Sequence, residues 1–142
     1  MSVIDANLLI YAYVETLPQH TTARPWLEAI LSSSTRIYLP WNSILAFGRL
    51  TSKTNLFVDP YTIQEVIRII DSWLQRSNVS VIEPGPRHWE ILRELLANHD
   101  VKGDLVNDAH IAALAIEHDA TLYTADRDFR RFAGLRVINP LA

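Results

Sequence analysis

The chain has 142 residues, of which 49% are hydrophobic and 20% are charged. This length and composition predict a single globular domain, residues 1–142, with a sizeable core. Cysteine is absent from the sequence, which excludes disulfides, thiolate metal sites and cysteine nucleophiles. A cysteine-free chain agrees with a reducing compartment, so we expect a cytoplasmic protein. The net charge of −3 does not by itself indicate a nucleic-acid partner. The opening apolar run is too short to span a bilayer, so we expect no membrane association.

Short apolar segments rich in β-branched or aromatic residues alternate with helical patterns along the chain. The predicted strands are 2–5, 36–40, 79–83, 121–125 and 136–138. The predicted helices are 6–16, 22–33, 42–52, 63–76, 87–98 and 105–117. Thr62 and Glu65 form a capping-box pattern at the start of the fourth helix. Strands separated by helices pair in parallel, so the predicted fold is α/β, a three-layer α/β/α sandwich with a mostly parallel five-stranded sheet.

Carboxylates follow two of these strands and open the last helix. Asp5 ends the first strand, Asp126 follows the fourth, and Asp104 and Asp108 are four residues apart on one helix face. The carboxyl ends of parallel strands line one crevice, so we expect these side chains to converge. Two carboxylates 4 Å apart repel by roughly 4 kcal/mol, so a divalent cation is expected among them. Oxygen-only ligands favour Mg²⁺ or Mn²⁺, which commonly serve phosphodiester hydrolysis.

Some of these acids also have a structural explanation. Asp104 is most simply the N-cap of its helix, where the helix dipole favours a negative charge. Asp126 and Asp128, in the run TADRDF, fit turn or cap residues. Asp5 and Asp108 lie within apolar runs, where exposure to bulk water is hard to reach, so a functional role is favoured for both.

Two stretches of the chain resemble a known family. VIDANLLIYAYVE is similar to the opening strand and helix of PIN-domain ribonucleases, and NDAHIAALAIEHDATLYTADRDF to their C-terminal signature. LPW and EPGPRHWEIL are similar to one subgroup of the VapC toxins of type II VapBC toxin–antitoxin modules. The resemblance places Asp5, Asp108 and Asp126 at the family's catalytic and metal-binding acids, and Thr124 and Asn7 at its polar positions. Alternatively, Asn7 caps the first helix.

What the resemblance implies is a metal-dependent endoribonuclease, generally a homodimer, with Mg²⁺ or Mn²⁺ as cofactor. Its partners would be a cognate VapB-type antitoxin, which neutralises it, and an RNA substrate, often a structured RNA such as tRNA.

The helix after the second strand departs from the family pattern. Most PIN domains have a glutamate there, but residues 29–58 contain neither Asp nor Glu, and Phe47 is the expected occupant. The set of acids is therefore incomplete, which argues against two-metal chemistry and makes Asp104 and Asp128 candidate substitutes. The favoured arrangement is a single metal ion held by Asp5 and Asp108, partly through waters.

The remaining polar and aromatic residues are weaker candidates. A basic rim for RNA phosphate, or equally a solvated helix face, is predicted from Arg127, Arg130 and Arg131. The histidines show no paired metal-ligand spacing and are expected at the surface or at helix ends: His20, His88, His99, His110 and His118. The tryptophans are expected to pack in the core or in an interface rather than to stack on bases: Trp26, Trp41, Trp73 and Trp89.

Two alternatives from other classes of protein stay open. A PIN-like binding module that has lost its fourth ligand would act only through protein or RNA partners. A phosphoacceptor or phosphatase domain of similar topology usually has a second carboxylate two residues after the first, where this chain has Asn7, and a late lysine. The chain has only Lys53 and Lys102. Metal-dependent RNA cleavage that a chelator abolishes would separate the three classes.

Overall fold

Two α-helices follow each of the first three strands in the computed structural model, which describes residues 1–98 and 100–142. The strands are β1 (Ser2–Ile4), β2 (Ile37–Pro40), β3 (Val79–Ile82), β4 (Thr121–Tyr123) and β5 (Arg136–Ile138). The α-helices are α1 (Ala6–Tyr13), α2 (His20–Leu31), α3 (Trp41–Thr51), α4 (Ile63–Leu74), α5 (His88–Asn98) and α6 (Leu105–Glu117). A 3₁₀ helix, Arg127–Arg131, follows β4.

The strands form one five-stranded sheet in the order β3-β2-β1-β4-β5, and every neighbouring pair is parallel. The sheet separates two buried apolar clusters. Ile4 belongs to the cluster with the first four helices, whereas Val3 belongs to the cluster with α5 and α6. Successive strand residues point to opposite faces, so helices cover both faces of the sheet. The predicted α/β sandwich is confirmed.

Half of the element boundaries differ from the predicted ones, by up to three residues. β1 ends at Ile4 because Asp5 already caps α1, with its Oδ1 accepting a hydrogen bond from the Ala6 N–H at 2.8 Å. The capping box is confirmed, since Thr62 and Glu65 exchange side-chain to backbone hydrogen bonds of 3.1 Å in both directions. The sequence pattern does not predict the 3₁₀ helix, which is only five residues long. Within the described residues, no helix combines the length and apolarity needed to cross a bilayer.

Phe47 lies in the hydrophobic core and not among the acids. Its side chain is 0% exposed, and its ring centroid lies 5.6 Å from that of Tyr13 and 4.8 Å from that of Trp73. A carboxylate at this position would be buried among aromatic rings, which strongly disfavours its charged form. Position 47 therefore contributes packing to the core instead of a ligand to the crevice.

The tryptophans divide into buried and exposed pairs. Trp73 is 1% exposed, and Trp26 is half-buried with its ring 5.6 Å from that of Tyr123, as expected for packing residues. By contrast, Trp41 is 47% exposed and Trp89 is 63% exposed. These two are not core residues, since Trp41 begins α3 and Trp89 is the second residue of α5, so packing in an interface stays a prediction for both.

Replacing Phe47 by alanine should lower the free energy of unfolding by about 3–5 kcal/mol, because it removes a fully buried ring from the aromatic cluster. Chemical denaturation would measure the change. Val58→Ala is the control, since Val58 is 74% exposed and its truncation should cost less than about 0.5 kcal/mol. Equal effects of the two substitutions would contradict the assignment of Phe47 to the core.

Candidate metal centre

The predicted site residues meet at the carboxyl edge of the sheet. β1 pairs in parallel with β4, which places Ile4 beside Tyr123, and the Asp5 N–H donates to the Tyr123 carbonyl at 3.0 Å. Asp126 follows β4 at the start of the 3₁₀ helix, and Asp108 lies in the first turn of α6. Two strand ends and one helix end therefore deliver carboxylates to the same crevice.

Three carboxylates of the crevice are close enough to share one cation. Asp108, Asp126 and Asp128 each place an oxygen within 4.8 Å of the other two. Asp126 Oδ1 also accepts a hydrogen bond from the Asp128 N–H at 2.9 Å, which fixes the turn that brings the third acid in. Asp5 is not part of this group. The three carboxylates that lie closest together therefore differ from the pair, Asp5 and Asp108, that the sequence analysis favoured as metal ligands. Oxygen ligands of this type suit Mg²⁺ or Mn²⁺.

The hydroxyl of Thr124 links the remaining polar residues of the site. It is 1% exposed, donates to Asp5 Oδ2 at 2.8 Å and accepts from the Asp126 N–H at 3.0 Å. Asn7 Nδ2 lies 3.3 Å from the same hydroxyl, so Asn7 joins this network and does not cap α1, whose N-cap is Asp5. The Oδ1 atom of Asn7 is buried and has no hydrogen-bond partner among the described residues. An open acceptor at this place fits a water bound to a nearby cation.

The charges of the site are only partly balanced by the protein. Burial, followed by the charges of Asp5, Asp126, Asp128 and Asp104, raises the pKa of Asp108 from 3.8 to about 6. Burial also raises the pKa of Asp5, although its hydrogen bonds with Thr124 and Ala6 oppose the shift. Within residues 1–98 and 100–142, no Lys, Arg or His nitrogen lies within 4.0 Å of the Asp5, Asp108 or Asp126 carboxylates. A group with this excess negative charge fits a divalent cation.

Asp104 occupies the N-cap position of α6 but does not cap the helix through its side chain. Its backbone is helical, with φ −61° and ψ −23°, and its side chain makes no capping hydrogen bond. Capping requires extended backbone at this position, so the predicted cap is wrong. Asp104 is exposed and adds a negative charge beside Asp108.

The three predicted arginines are exposed on or beside the acid group. Arg131 Nη2 lies 3.6 Å from Asp128 Oδ1, and its Nε donates to the Asp128 carbonyl at 3.1 Å. Arg127 and Arg130 line a small depression together with Asp126. The structure thus brings cations to one side of the acid group, next to β4 and β5.

The histidines include one pair that the sequence pattern does not predict. His88 Nε2 and His110 Nδ1 lie 2.8 Å apart and join the start of α5 to α6. His110 is half-buried in the middle of α6, so the expected position at the surface or at a helix end is wrong for this residue. His20 and His118 lie at helix ends, as predicted. His99 lies outside the described residues.

Another contact ties the start of α3 to the start of α6 and links residues far apart in sequence. Asn42 Nδ2, in the first turn of α3, donates to Asn107 Oδ1 at 2.7 Å, and Asn107 directly precedes Asp108. No local pattern joins positions 65 residues apart, so sequence reasoning missed this contact.

Comparisons with known proteins agree with the fold and with the crevice. The PIN domain matches residues 2–135. The chain is 39% identical over 142 residues to Ribonuclease VapC37 of Mycobacterium tuberculosis. The alignment covers 100% of this chain and 99% of that protein. The chain is 34% identical over 141 residues to Ribonuclease VapC33 of the same species, covering 99% of both.

Solved structures of similar fold include two toxin structures. One is VapBC2 from Rickettsia felis bound to a DNA fragment from its promoter, with a TM-score of 0.69, 20% identity and 97% of each chain covered. The other is Mycobacterium tuberculosis VapC20, a Sarcin-Ricin loop cleaving toxin, with a TM-score of 0.69, 16% identity, and 96% of this chain and 99% of that chain covered. Family match and relatives together show that the chain belongs to the PIN-domain family and, within it, to the VapC ribonucleases.

The raised pKa of Asp108 predicts a pH-dependent stability. In the metal-free protein this carboxyl has a pKa of about 6, against 3.8 ordinarily, so the folded state binds its proton more tightly than the unfolded chain does. Its contribution to stability should therefore decrease as the pH rises from about 4 to above 6. Asp108→Asn removes this loss, so the variant should melt at a higher temperature than the parent above pH 6, with a smaller difference at pH 4.

Thermal melts across this pH range, without and with Mg²⁺, would measure the effect. Mg²⁺ should raise the melting temperature of the parent more than that of Asp108→Asn. Asp71→Asn is the control, because Asp71 is exposed on α4. A melting difference between Asp108→Asn and the parent that stays constant from pH 4 to pH 8 would contradict the assignment.

Proposed function

We propose that the protein is a metal-dependent endoribonuclease, the toxin of a type II toxin–antitoxin module, that hydrolyses RNA phosphodiester bonds. The observation that carries the proposal is the group of Asp108, Asp126 and Asp128, whose carboxylate oxygens lie within 4.8 Å of one another at the carboxyl edge of a parallel sheet. Membership of the VapC ribonucleases supports the same activity.

The residues of the crevice divide the work between binding and orientation. The three grouped carboxylates would hold Mg²⁺ or Mn²⁺, which, when bound, supplies an activated water and neutralises charge that develops on the phosphate. Asp5, held by hydrogen bonds from Thr124 and Ala6, adds a carboxyl group of fixed orientation next to the group. The open Oδ1 of Asn7 is placed to accept from a water at this site.

An RNA strand would enter along the side of the crevice that carries arginines. Arg127 and Arg130 are exposed beside Asp126, where their guanidinium groups can bind the phosphates that flank the cleaved bond. We propose a structured RNA such as tRNA as the substrate, on the resemblance to VapC toxins, and the cytoplasm as the compartment in which the chain meets it.

We also propose two protein partners, a second copy of this chain and a VapB-type antitoxin. The antitoxin is supported by the fold, which is similar to that of VapBC toxin–antitoxin complexes. The homodimer is supported by an apolar groove of about 690 Å³ between α3 and α4, which we call the α3–α4 groove. Leu45, Ile63 and Ile67 line it and are 64%, 54% and 53% exposed. Burying such side chains against another subunit is favourable.

One observation favours the alternative of a binding module without catalysis. Residues 29–58 contain no acid, so α3 supplies no carboxylate to the crevice. Such a module would bind RNA or protein but would not cleave RNA, whatever metal is supplied.

Removal of the metal, or of the charge of Asp108, should abolish RNA cleavage. The purified protein is expected to cut RNA in Mg²⁺ or Mn²⁺ and to stop when a chelator is added. Asp108→Asn should lower the cleavage rate by at least about 100-fold, because the substitution keeps the shape but removes a charge that binds the cation. Rates of cleavage of total tRNA, followed on gels, would measure both effects.

Asp104→Asn is the matched control, since Asp104 also lies at the start of α6 but outside the close group of carboxylates. It should cleave at close to the parent rate. Loss of cleavage as severe as in Asp108→Asn, with a normal melting temperature, would instead make Asp104 a ligand. Cleavage that survives both the chelator and Asp108→Asn would sink the proposed nuclease site.

Charge introduced into the α3–α4 groove should separate the proposed dimer. Ile67 is 53% exposed in the single chain, and Ile67→Arg replaces this apolar side chain with a cation. Dimerisation through the groove would then have to bury the charge of the arginine. Light scattering should report a dimer for the parent and a monomer for this variant. Val58→Arg, at a 74% exposed position that does not line the groove, should remain dimeric. A strictly monomeric parent at high concentration would contradict the dimer.

A further inference from the structure

Trp41 begins α3 at the same edge of the sheet as the acids. β1 and β2 are parallel, with Ser2 beside Ile37 and Val3 beside Tyr38. Continued by two residues, this register places Asp5 level with Pro40, and Trp41 is the next residue. Neighbouring strands lie about 4.8 Å apart, so the backbone at the start of α3 lies close to that of Asp5.

The first turn of α3 is also tied to the start of α6. Asn42, which follows Trp41, donates its hydrogen bond to Asn107, and Asn107 precedes Asp108. Trp41 therefore stands beside two of the chain segments that carry the carboxylates, the end of β1 and the first turn of α6. Despite this position its side chain is 47% exposed.

The order of the strands gives the crevice two chemically different sides. β2 lies on one side of β1, and β4 lies on the other. Arg127 and Arg130 follow β4 on the second side, whereas Trp41 follows β2 on the first. Residues that suit phosphate and a residue that suits a base therefore follow strands on opposite sides of β1.

We propose that Trp41 is a substrate-positioning residue on which an unpaired base of the RNA strand stacks, next to the phosphate held at the acid group. The inference rests on the proposed nuclease function and names the part of the substrate that this side of the crevice binds. An indole offers a large rigid face at low cost in conformational entropy, and stacking accepts any base because every base has a π-face. Unpaired bases are available in the loops and ends of structured RNA and are stacked inside its helices.

Trp89 provides the matched comparison for this role. It is 63% exposed, more than Trp41, but it lies at the start of α5, which follows β3, and β2 separates β3 from β1. Exposure alone thus does not distinguish the two side chains. What distinguishes Trp41 is its place one residue beyond the level of Asp5 at the carboxyl edge.

Binding of two single-stranded probes would test the stacking directly. Asp108→Asn serves as the background so that RNA is not cut. The probes are oligoadenylate and an abasic ribose-phosphate strand of equal length, and the dissociation constants are measured by fluorescence anisotropy in Mg²⁺. The background protein should bind oligoadenylate about 5- to 150-fold more tightly than the abasic strand, the range expected for one stacked base.

Adding Trp41→Leu should remove most of this preference, because leucine keeps an apolar side chain but offers no ring. Trp41→Phe should retain part of it, and Trp89→Leu should leave it unchanged. Binding of the abasic strand should be similar in all of these proteins, since phosphate contacts are untouched. In cleavage-competent protein, Trp41→Leu should raise KM more than it lowers kcat.

An unchanged preference in Trp41→Leu would overturn the inference. So would a Trp41→Leu protein that becomes monomeric while binding both strands as the background does, because Trp41 would then contact a second copy of the chain. Failure of the parent to cleave RNA is a separate result, which sinks the proposed function but leaves the binding measurement valid.

Discussion

The parallel pairing of β1 with its two neighbours is the constraint on which the whole crevice depends. The chain brings Asp5 to the sheet edge through β1, and the same pairing places Thr124 and Asp126 beyond β4. The hydrogen bond from the Asp5 N–H to the Tyr123 carbonyl extends the pairing one residue past the strand. A slip of register would separate the Thr124 hydroxyl from the Asp5 carboxylate, which it now contacts at 2.8 Å.

Assembly of these acids costs stability and explains why a largely buried helix begins with negative charge. Burial and the surrounding carboxylates raise the pKa of Asp108 to about 6, so ionisation of this carboxyl is less favourable in the folded protein than in the unfolded chain. The N-terminus of α6 offsets part of this repulsion, because the helix dipole favours an anion in the first turn. The remainder stays as uncompensated charge that a divalent cation would neutralise. Folding stability and metal affinity are therefore opposed at this site.

Local patterns predicted the elements, whereas long-range contacts decided the details of the site. The alternation of apolar strands with helical patterns was sufficient to predict the fold class. The capping box at Thr62 could be predicted from four consecutive residues. The entry of Asp128 into the acid group depends on a short 3₁₀ helix, whose turn no periodicity reports. The pairing of His88 with His110 spans 22 residues and depends on how α5 packs against α6. Asp104 failed as a cap because its backbone is already helical, a property that residue type does not determine.

The same geometry bears on what replaces the acid that α3 lacks. Phe47 fills a core position between Tyr13 and Trp73, so a carboxylate there would have to displace aromatic packing before it reached the crevice. Asp128 reaches the acid group from the side of β4, opposite to the side of β2 and α3, through the turn that Asp126 caps. It also lies 3.6 Å from Arg131. A metal ion would therefore compete with Arg131 for the Asp128 carboxylate, and an RNA phosphate would compete with Asp128 for the Arg131 guanidinium. With Asp128 as the third ligand, metal binding would weaken that ion pair and free the arginine for RNA, which couples the two halves of the site through a single carboxylate.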